Sequence, residues 1–337
     1  MVVRPERLTA AATAEQETHQ PQAAPWSRQH LLDVDNLSRE EILLLLQTAE
    51  GMEEVLQRRV ARTPALRGLT VVNLFYEAST RTRASFELAG KVLGADVINV
   101  AGSGSSVAKG ESLIDTVRTL KAIGADVLVM RHPSSGAPQL AARQTEAHVI
   151  NAGDGWHAHP TQALLDAYTL QKALGSLEDR RIVIVGDITH SRVARSNIWA
   201  LTTLGARITL CGPRTLLPRG LEGVAGPRAL PHVEIEDDLD RAMAGADAVM
   251  ALRVQRERIK GAALPSLREY AARYQLNAER LALAEEGAPV LHPGPMNEGV
   301  EVSAEVAHGL QSEVERQVQH GVAIRMAALY LLARTGA

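Results

Sequence analysis

The sequence contains one cysteine and no long apolar run. Cys211 is the single cysteine, so an internal disulfide is excluded and a thiolate metal site is not supported. No uninterrupted apolar stretch approaches the ~18 residues that a membrane span needs. Arg4, Glu6 and Arg7 interrupt the first apolar residues, so the N-terminus does not have the pattern of a signal peptide. These absences predict a cytoplasmic protein that does not enter a membrane.

The sequence also has no excess of positive charge. Lysine and arginine total 36 against 39 acidic residues, and the formal net charge is −3. A domain that binds nucleic acid is expected to be basic, so this balance argues against a nucleic-acid partner. Any positive field must therefore be local, concentrated in a cleft. Hydrophobic residues make up 45% of the 337 residues, which is enough for a sizeable core and for about two domains.

The segment over residues 75–87 is the most informative part of the chain. It begins at the end of an apolar run, residues 69–75, that is typical of a buried strand, and it continues into apolar residues at helical spacing. A helix N-terminus presents free backbone N–H groups and a partial positive charge, so it can bind an anion. An ordinary helix cap is the alternative, but the density of side-chain donors favours a phosphate-type site. These donors are Ser79, Thr80, Arg81 and Thr82.

A unit of helix, Gly-Ala and apolar strand recurs along the chain and predicts an α/β fold. Glycine just past a helix end relieves the left-handed backbone position there. Apolar runs with little alternation are typical of parallel strands buried on both faces. The units fall into two groups, near residues 69–131 and 181–253, which predicts two domains, each a mostly parallel sheet flanked by helices. The Gly-Ala pairs begin at Gly94, Gly124, Gly205 and Gly245.

Helical patterns outside these units complete the predicted organisation. Ser38 and Glu41 have the spacing of a capping box, and residues 314–333 have the apolar periodicity of a long helix. In two-domain α/β proteins, ligands bind in the cleft at the carboxyl ends of strands. The predicted division is a disordered tail over 1–28, a first domain over 29–158 completed by a C-terminal helix over 312–337, and a second domain over 159–311 with a connector helix over 161–174.

Basic and polar side chains follow several of the predicted strands. A single arginine at a strand end is typical of a solvated loop. Three such arginines, together with the segment after the first strand, indicate a site for a polyanionic ligand in the interdomain cleft. The segments after these strands contain Arg131 and His132, residues 186–192 with Arg192, Arg253 with Gln255, and residues 292–295.

Other chemistries are less well supported by the sequence. Residues 186–191 lack the second and third glycines of a dinucleotide fingerprint, and no phosphate-binding loop of the G-x-x-x-x-G-K-[ST] type is present. Asp154, His157 and His159 match no zinc spacing, so no metal is predicted. A serine nucleophile is weakly supported because no G-x-S-x-G elbow exists. The small-residue segment over 101–112 is either an exposed linker or a mobile loop that closes over a phosphate.

Five segments resemble, in order and spacing, the catalytic chains of aspartate carbamoyltransferases. The resemblance extends from near His30 to the C-terminus. The first segment alone indicates the wider carbamoyltransferase group, and the last distinguishes the acceptor, because ornithine enzymes typically carry a Cys-containing H-C-L-P motif there. The five segments are Ser79-Thr80-Arg81-Thr82-Arg83, Met130-Arg131-His132-Pro133, His159-Pro160-Thr161-Gln162, Arg253-Val254-Gln255 and His292-Pro293-Gly294-Pro295.

The resemblance implies a reaction and a set of site residues. Carbamoyl phosphate and L-aspartate would give N-carbamoyl-L-aspartate and phosphate, a step of pyrimidine biosynthesis, without any cofactor. The implied catalytic residues are Arg81, Thr82, Arg131 and His159. The implied ligands of carbamoyl phosphate are Ser79, Thr80, Arg81, Thr82, Ser105, Arg131, His159, Gln162, Gly294 and Pro295. The implied ligands of aspartate are Lys109, Arg192, Arg253 and Gln255.

The resemblance also implies an assembly and leaves alternatives open. Ser105 and Lys109 match a loop that the family contributes from a neighbouring subunit, which implies a homotrimer with shared sites. A regulatory chain or a dihydroorotase is a further partner that the sequence does not decide. Glu298 stands where relatives commonly carry arginine, and its effect is open. A carbamoyltransferase with another acceptor, or an inactive homologue that acts as a scaffold or phosphate sensor, is the competing interpretation.

Overall fold

The computed structural model describes residues 26–101, 111–218, 233–254 and 266–335. The predicted tail over 1–28 therefore lies outside the described residues up to residue 25. The strands are β1 (Thr70–Phe75), β2 (Asp96–Ala101), β3 (Val127–His132), β4 (His148–Asp154), β5 (Arg181–Val185), β6 (Arg207–Cys211), β7 (Val233–Glu236), β8 (Ala248–Ala251) and β9 (Val290–Leu291). The helices are α1 (Arg39–Leu56), α2 (Thr80–Val92), α3 (Leu113–Ile123), α4 (Ala137–Ala142), α5 (Pro160–Leu174), α6 (Arg192–Thr203), α7 (Leu239–Met243), α8 (Leu267–Tyr274), α9 (Ala278–Leu281), α10 (Ala304–Ala307) and α11 (Val314–Ala333).

The strands form two separate parallel sheets, as the two groups of units predict. The first sheet has the order β2-β1-β3-β4 and the second has the order β7-β6-β5-β8-β9. All of the strand pairs in both sheets are parallel. The glycines of the Gly-Ala pairs adopt positive φ, as predicted. Within the described ranges, no helix is long and apolar enough to cross a membrane.

Strand β2 differs from the prediction that these strands are buried on both faces. Its side chains are exposed or half-buried, and Ile98 is 43% exposed. The faces of β2 are exposed because it is an edge strand of the first sheet and pairs only with β1. An apolar run therefore identified the strand but not the burial of its faces. The central strands β1, β3, β5 and β8 are buried almost throughout, as predicted.

The helices that flank the first sheet have the predicted apolar faces. At the start of α1, the Ser38 hydroxyl accepts from the Glu41 N–H and the Glu41 carboxylate accepts from the Ser38 N–H, which confirms the capping box. On α2, Phe86 and Ala89 are fully buried against the sheet. Burying a side chain the size of phenylalanine contributes about 1.5–3 kcal/mol, which holds the N-terminus of α2 at the end of β1.

Helices α5 and α11 connect the two sheets. Helix α11 packs against α1, α2 and α5, and α5 packs in turn against α6 of the second half. One apolar core runs from β1 through these helices to β5. Helix α11 begins and ends as the periodicity predicts, and Val318, one of its apolar residues at helical spacing, is 53% exposed. Val318 lies in the wall of a cavity between the two sheets, which explains its exposure.

Candidate active site

A cavity of about 770 Å3 lies where the carboxyl ends of strands from both sheets meet. The structure brings together here every predicted site residue that it describes. Those residues are Ser79, Thr80, Arg81, Thr82, Arg131, His159, Gln162, Arg192, Arg253, Gly294 and Pro295. The other three predicted residues, Ser105, Lys109 and Gln255, lie outside the described residues. The cavity therefore gathers side chains that are far apart in the sequence.

The hinge between β1 and α2 forms one wall of the cavity. Ser79 is the N-cap of α2, but its hydroxyl makes no cap hydrogen bond and faces the cavity. Thr82 is buried in the first turn of α2. Burial and the nearby Arg253 guanidinium lower the pKa of Arg81. Because the helix N-terminus, the hydroxyls and the guanidinium all favour negative charge, this wall is suited to bind an anion.

Glu77, which the sequence did not suggest, links two of the predicted arginines. Its Oε2 atom accepts from Arg192 Nη2 at 2.9 Å and from Arg131 Nε at 3.2 Å. Arg131 is the next-to-last residue of β3 in the first sheet, whereas Arg192 begins α6 beside the second sheet. One carboxylate therefore fixes two guanidinium groups from opposite sides of the cavity and connects the two halves of the chain.

Glycines at the end of β4 make room for Arg192. A Cβ atom on Gly153, whose φ is +113°, would lie 2.9 Å from the guanidinium carbon of Arg192. Arg192 Nη1 donates to the Gly155 carbonyl oxygen at 3.1 Å. The intervening Asp154 is fully buried and accepts from the Gly136 N–H at 2.7 Å and from His157 Nδ1 at 3.1 Å. Asp154 and His157 thus shape this turn, while His159 lies apart from them in the cavity wall.

His159 lies at the start of α5 with its imidazole buried. Its backbone N–H donates to Ser196 Oγ at 2.9 Å, which ties α5 to α6. Burial lowers the pKa of His159 well below its usual value, and Arg131, Arg192 and Arg325 lower it further. The imidazole is therefore neutral at physiological pH. A neutral imidazole surrounded by guanidinium groups is a hydrogen-bond donor but a poor proton acceptor, since a second positive charge there is unfavourable.

The loop after β9 carries backbone groups into the cavity. His292 Nδ1 accepts from the Gly294 N–H at 2.8 Å, and burial together with Arg81 and Arg253 lowers the pKa of His292 to about 3. Gly294 has a φ of +62° and precedes a cis peptide bond to Pro295. A Cβ atom at position 294 would lie 3.1 Å from the Arg81 guanidinium carbon, so glycine permits the close approach of Arg81.

A buried carboxylate holds the loop that carries Arg253. Glu301 is 1% exposed and accepts from the Val254 N–H at 2.7 Å and from the Asn297 N–H at 2.8 Å. It thus joins the segment after β8 to the segment after β9. Glu298, the departure noted in the sequence, is exposed, does not line the cavity and lies 3.2 Å from His308 Nε2. The reversed charge therefore lies at the surface, outside the cavity lining.

Helix α11 adds two residues that the sequence analysis missed. Gln317 and Arg325 both line the cavity, and Arg325 is 5% exposed with its guanidinium over the Phe86 ring. Burial lowers the pKa of Arg325 to about 10, so it remains charged at neutral pH. A signal for Arg325 was present, because it is the one charged residue in the apolar run over 321–332.

The cavity is strongly electropositive. Among the described residues, its lining includes five arginines and one carboxylate, Glu77. In a protein with a net charge of −3, this arrangement concentrates positive potential at one place. Arg81, Arg131 and Arg192 line the cavity beside hydroxyls, a neutral imidazole and backbone groups. The fold and the cavity define an α/β protein with an electropositive site, suited to small anions, between two parallel-sheet halves.

Two regions of the sequence match the two domains of one protein family. Residues 29–172 match "Aspartate/ornithine carbamoyltransferase, carbamoyl-P binding domain", and residues 178–332 match "Aspartate/ornithine carbamoyltransferase, Asp/Orn binding domain". The chain belongs to the aspartate/ornithine carbamoyltransferase family.

Several aspartate carbamoyltransferases are similar to this chain over most of its length. The aspartate carbamoyltransferase catalytic subunit of Chloroflexus aurantiacus is 57% identical over 311 residues, which cover 91% of this chain and 98% of that protein. That of Dehalococcoides mccartyi is 55% identical over 318 residues, covering 94% and 96%. A Trypanosoma cruzi aspartate transcarbamoylase solved with N-(phosphonacetyl)-L-aspartic acid has a TM-score of 0.82 at 34% identity, covering 90% of this chain and 96% of that chain.

Proposed function

We propose that this chain is the catalytic subunit of an aspartate carbamoyltransferase. It transfers the carbamoyl group of carbamoyl phosphate to the amine of L-aspartate and releases phosphate. The observation that carries this proposal is the cavity in which Ser79, Arg81, Arg131, Arg192 and Arg253 converge. Similarity to a Trypanosoma cruzi enzyme solved with carbamoyl phosphate and aspartate supports the pair of substrates.

The wall formed by the start of α2 is suited to the phosphate. Ser79, Thr80 and Thr82 offer hydroxyl donors there, and Arg81 offers two parallel N–H groups that match a phosphate edge. The N-terminal dipole of α2 favours the same negative charge. When the C–O bond to phosphate breaks, the bonding pair leaves with the phosphate. Donors already aimed at its oxygens stabilise this developing charge without reorganisation.

The carbamoyl group lies between the phosphate wall and α5 in this proposal. Attack of the aspartate amine on the carbamoyl carbon moves negative charge to the carbonyl oxygen, and the proton that the amine loses leaves with the departing phosphate. Arg131, Thr82 and the neutral His159 are the donors that stabilise this oxygen. A neutral imidazole is well suited because it donates a hydrogen bond without adding to the cost of a buried charge. Gln162, with the backbone of Gly294 and Pro295, holds the carbamoyl amide.

The second half of the chain supplies the acceptor site. Arg192 and Arg253, which both line the cavity, pair with the two carboxylates of aspartate in this proposal, and Gln255 and Lys109 are further proposed ligands of the acceptor. A cationic side chain such as that of ornithine is disfavoured beside these guanidinium groups. Holding two anions in attack geometry in a preorganised site accounts for the remaining rate enhancement.

The proposed assembly is a homotrimer with shared sites, in the cytoplasm. Ser105 and Lys109 would complete the site of a neighbouring subunit. The exposed edge strand β2, which leads to residue 102 and leaves Ile98 exposed, supports a subunit contact at this edge. The first half, 29–158 with the C-terminal helix, would bind carbamoyl phosphate, and the second, 159–311, would bind aspartate. Co-expression of Lys109→Ala and Arg131→Ala chains tests the sharing, because a mixed trimer regains intact sites.

An acceptor assay tests the proposed reaction. Purified protein is incubated with carbamoyl phosphate and either L-aspartate or L-ornithine, and the carbamoylated product is quantified. Product is expected with aspartate, together with one phosphate for each carbamoyl group transferred. Product with ornithine instead would assign a different acceptor, and phosphate binding without either product would indicate an inactive sensor.

A further inference from the structure

Asp166 occupies the centre of a buried amide cluster next to the cavity. It lies one helical turn after Gln162 on α5 and is fully buried. Its Oδ1 atom accepts from Gln162 Nε2 at 2.9 Å and from Gln317 Nε2 at 2.7 Å, while its Oδ2 atom accepts from Asn197 Nδ2 at 2.8 Å. One carboxylate therefore accepts hydrogen bonds from side-chain amides on α5, α6 and α11.

The chemistry of this cluster fixes which end of each amide faces Asp166. An ionised carboxylate only accepts hydrogen bonds, so each neighbouring amide must turn its NH2 group toward it. The carbonyl oxygen of that amide is then directed elsewhere. Gln317 shows the consequence, because its Oε1 atom accepts from the His292 N–H at 2.9 Å. Gln162 lines the cavity, so its oxygen is the end that it offers to a ligand.

We propose that Asp166 is a positioning residue that makes the site selective for a carbamoyl group over an acetyl group. It holds Gln162 with its carbonyl oxygen toward the cavity, where that oxygen accepts from the NH2 of the carbamoyl group. A ligand with CH3 in place of NH2 leaves this acceptor without a donor. This inference rests on the proposed function, since Gln162 is there assigned to the carbamoyl amide.

Substitution of Asp166 by asparagine removes the directing charge and keeps the shape. An asparagine side chain has one accepting and one donating end, so the charge that favours an inward NH2 group on Gln162 is lost and its orientation is held less firmly. Burial raises the pKa of the Asp166 carboxyl to about 6, so the wild-type group is ionised at pH 8. The charged group that faces it is Arg325 on α11, and the described groups from α5 and α6 are amides. Wild type and Asp166→Asn thus differ at pH 8 in charge and not in size.

A matched pair of stable ligands measures the selectivity by isothermal titration at pH 8. Phosphonoacetamide carries the NH2 group, and acetonylphosphonate carries CH3 at the same place. Wild type is expected to bind phosphonoacetamide at least about tenfold more tightly, as for a site built around one buried hydrogen bond. In Asp166→Asn this ratio is expected to fall toward one, with acetonylphosphonate and inorganic phosphate binding within about twofold of wild type.

Two controls separate positioning from a general loss of structure. Asn197→Ala removes a different contact to Asp166, so it is expected to lower stability and to leave the ligand ratio unchanged. Gln162→Ala is expected to bring the ratio to about one, and adding Asp166→Asn to it should change nothing further.

A pH titration of wild type tests the same point without a variant. The ratio of the two affinities is expected to decline as pH falls from 8 to 5, because protonation gives Asp166 a hydrogen-bond donor.

The outcomes distinguish this inference from the proposed function. An Asp166→Asn protein that folds and keeps the wild-type ratio would overturn the positioning role. A wild-type ratio that is constant between pH 8 and 5 would count equally against it. Failure of the wild-type protein to form carbamoylaspartate would instead remove the proposed function, whatever the variant does.

Discussion

Replacing Glu77 by glutamine should weaken the connection between the two halves of the chain. The carboxylate contacts Arg192 at 2.9 Å and Arg131 at 3.2 Å, and the Arg192 side chain is only 4% exposed. With an effective dielectric constant near 20, each contact has a gross attraction of about 5 kcal/mol. Most of this attraction offsets desolvation, and loss of one partner of a buried pair costs about 3–5 kcal/mol. Because the amide oxygen can still accept both hydrogen bonds, although without the charge, we expect a loss near the lower limit, about 3 kcal/mol.

The measurement is chemical denaturation of the unliganded protein with a matched control. Glu87→Gln removes a surface carboxylate that contacts Lys91 on the same helix, a pair worth about 0.3–0.5 kcal/mol. Phosphate should stabilise Glu77→Gln more than wild type, because an added anion replaces negative charge that the substitution removes beside the two arginines. Equal stability of the two variants, with the same response to phosphate, would refute the proposed role of Glu77.

Three further predictions concern the arginines and one buried carboxyl. Arg131→Ala should lower kcat at least about a hundredfold while Arg207→Ala, an exposed control, does not; near-normal turnover would contradict the role of Arg131. Arg253→Ala should raise the KM for aspartate far more than that for carbamoyl phosphate, and an unchanged aspartate dependence in initial-rate kinetics would refute this. Burial raises the pKa of Asp33 from 3.8 to about 6, so its ionisation opposes folding as pH rises through this range. The stability of Asp33→Asn relative to wild type should therefore increase from pH 4 to pH 7.5, by up to about 3 kcal/mol, and a difference independent of pH in denaturation curves would contradict it.

The sequence predicted the parts of the fold that depend on local patterns. The capping box at Ser38 and Glu41, the ends of α11 and the glycines after helices follow from rules that involve neighbouring residues. Burial was less predictable, because it depends on position in the sheet. The apolar run of β2 resembles that of β1, yet only β1 has a strand on each side.

The part of the candidate site that lies at the carboxyl ends of strands could be predicted from the sequence. Arginines after parallel strands lie at the carboxyl ends of their sheets, and ligands bind in the cleft that such ends face, so Arg131, Arg192 and Arg253 could be grouped in advance. Glu77 could not be found in this way, because its partner Arg192 lies 115 residues away and a carboxylate is not expected in an anion site. Asp166 could not be found from the sequence for the same reason, since its role depends on amides from α6 and α11.

The neutral state of His159 is a second property that only the three-dimensional arrangement reveals. A histidine before proline at a helix start has no distinctive charge state in the sequence. Burial among Arg131, Arg192 and Arg325 lowers its pKa well below the usual value. In the proposed mechanism, His159 therefore contributes a hydrogen bond to the carbamoyl oxygen and takes no proton from the attacking amine.

In the proposed function, one cavity holds the phosphate and the dicarboxylate together. Isothermal titration with N-(phosphonacetyl)-L-aspartate, which joins both groups in one molecule, tests it most directly. One molecule is expected to bind per chain, displaced by inorganic phosphate and also by succinate, and the complex is expected to be weaker in Arg81→Ala and in Arg253→Ala. Absence of binding, or binding that only one of the two competitors displaces, would contradict the claim.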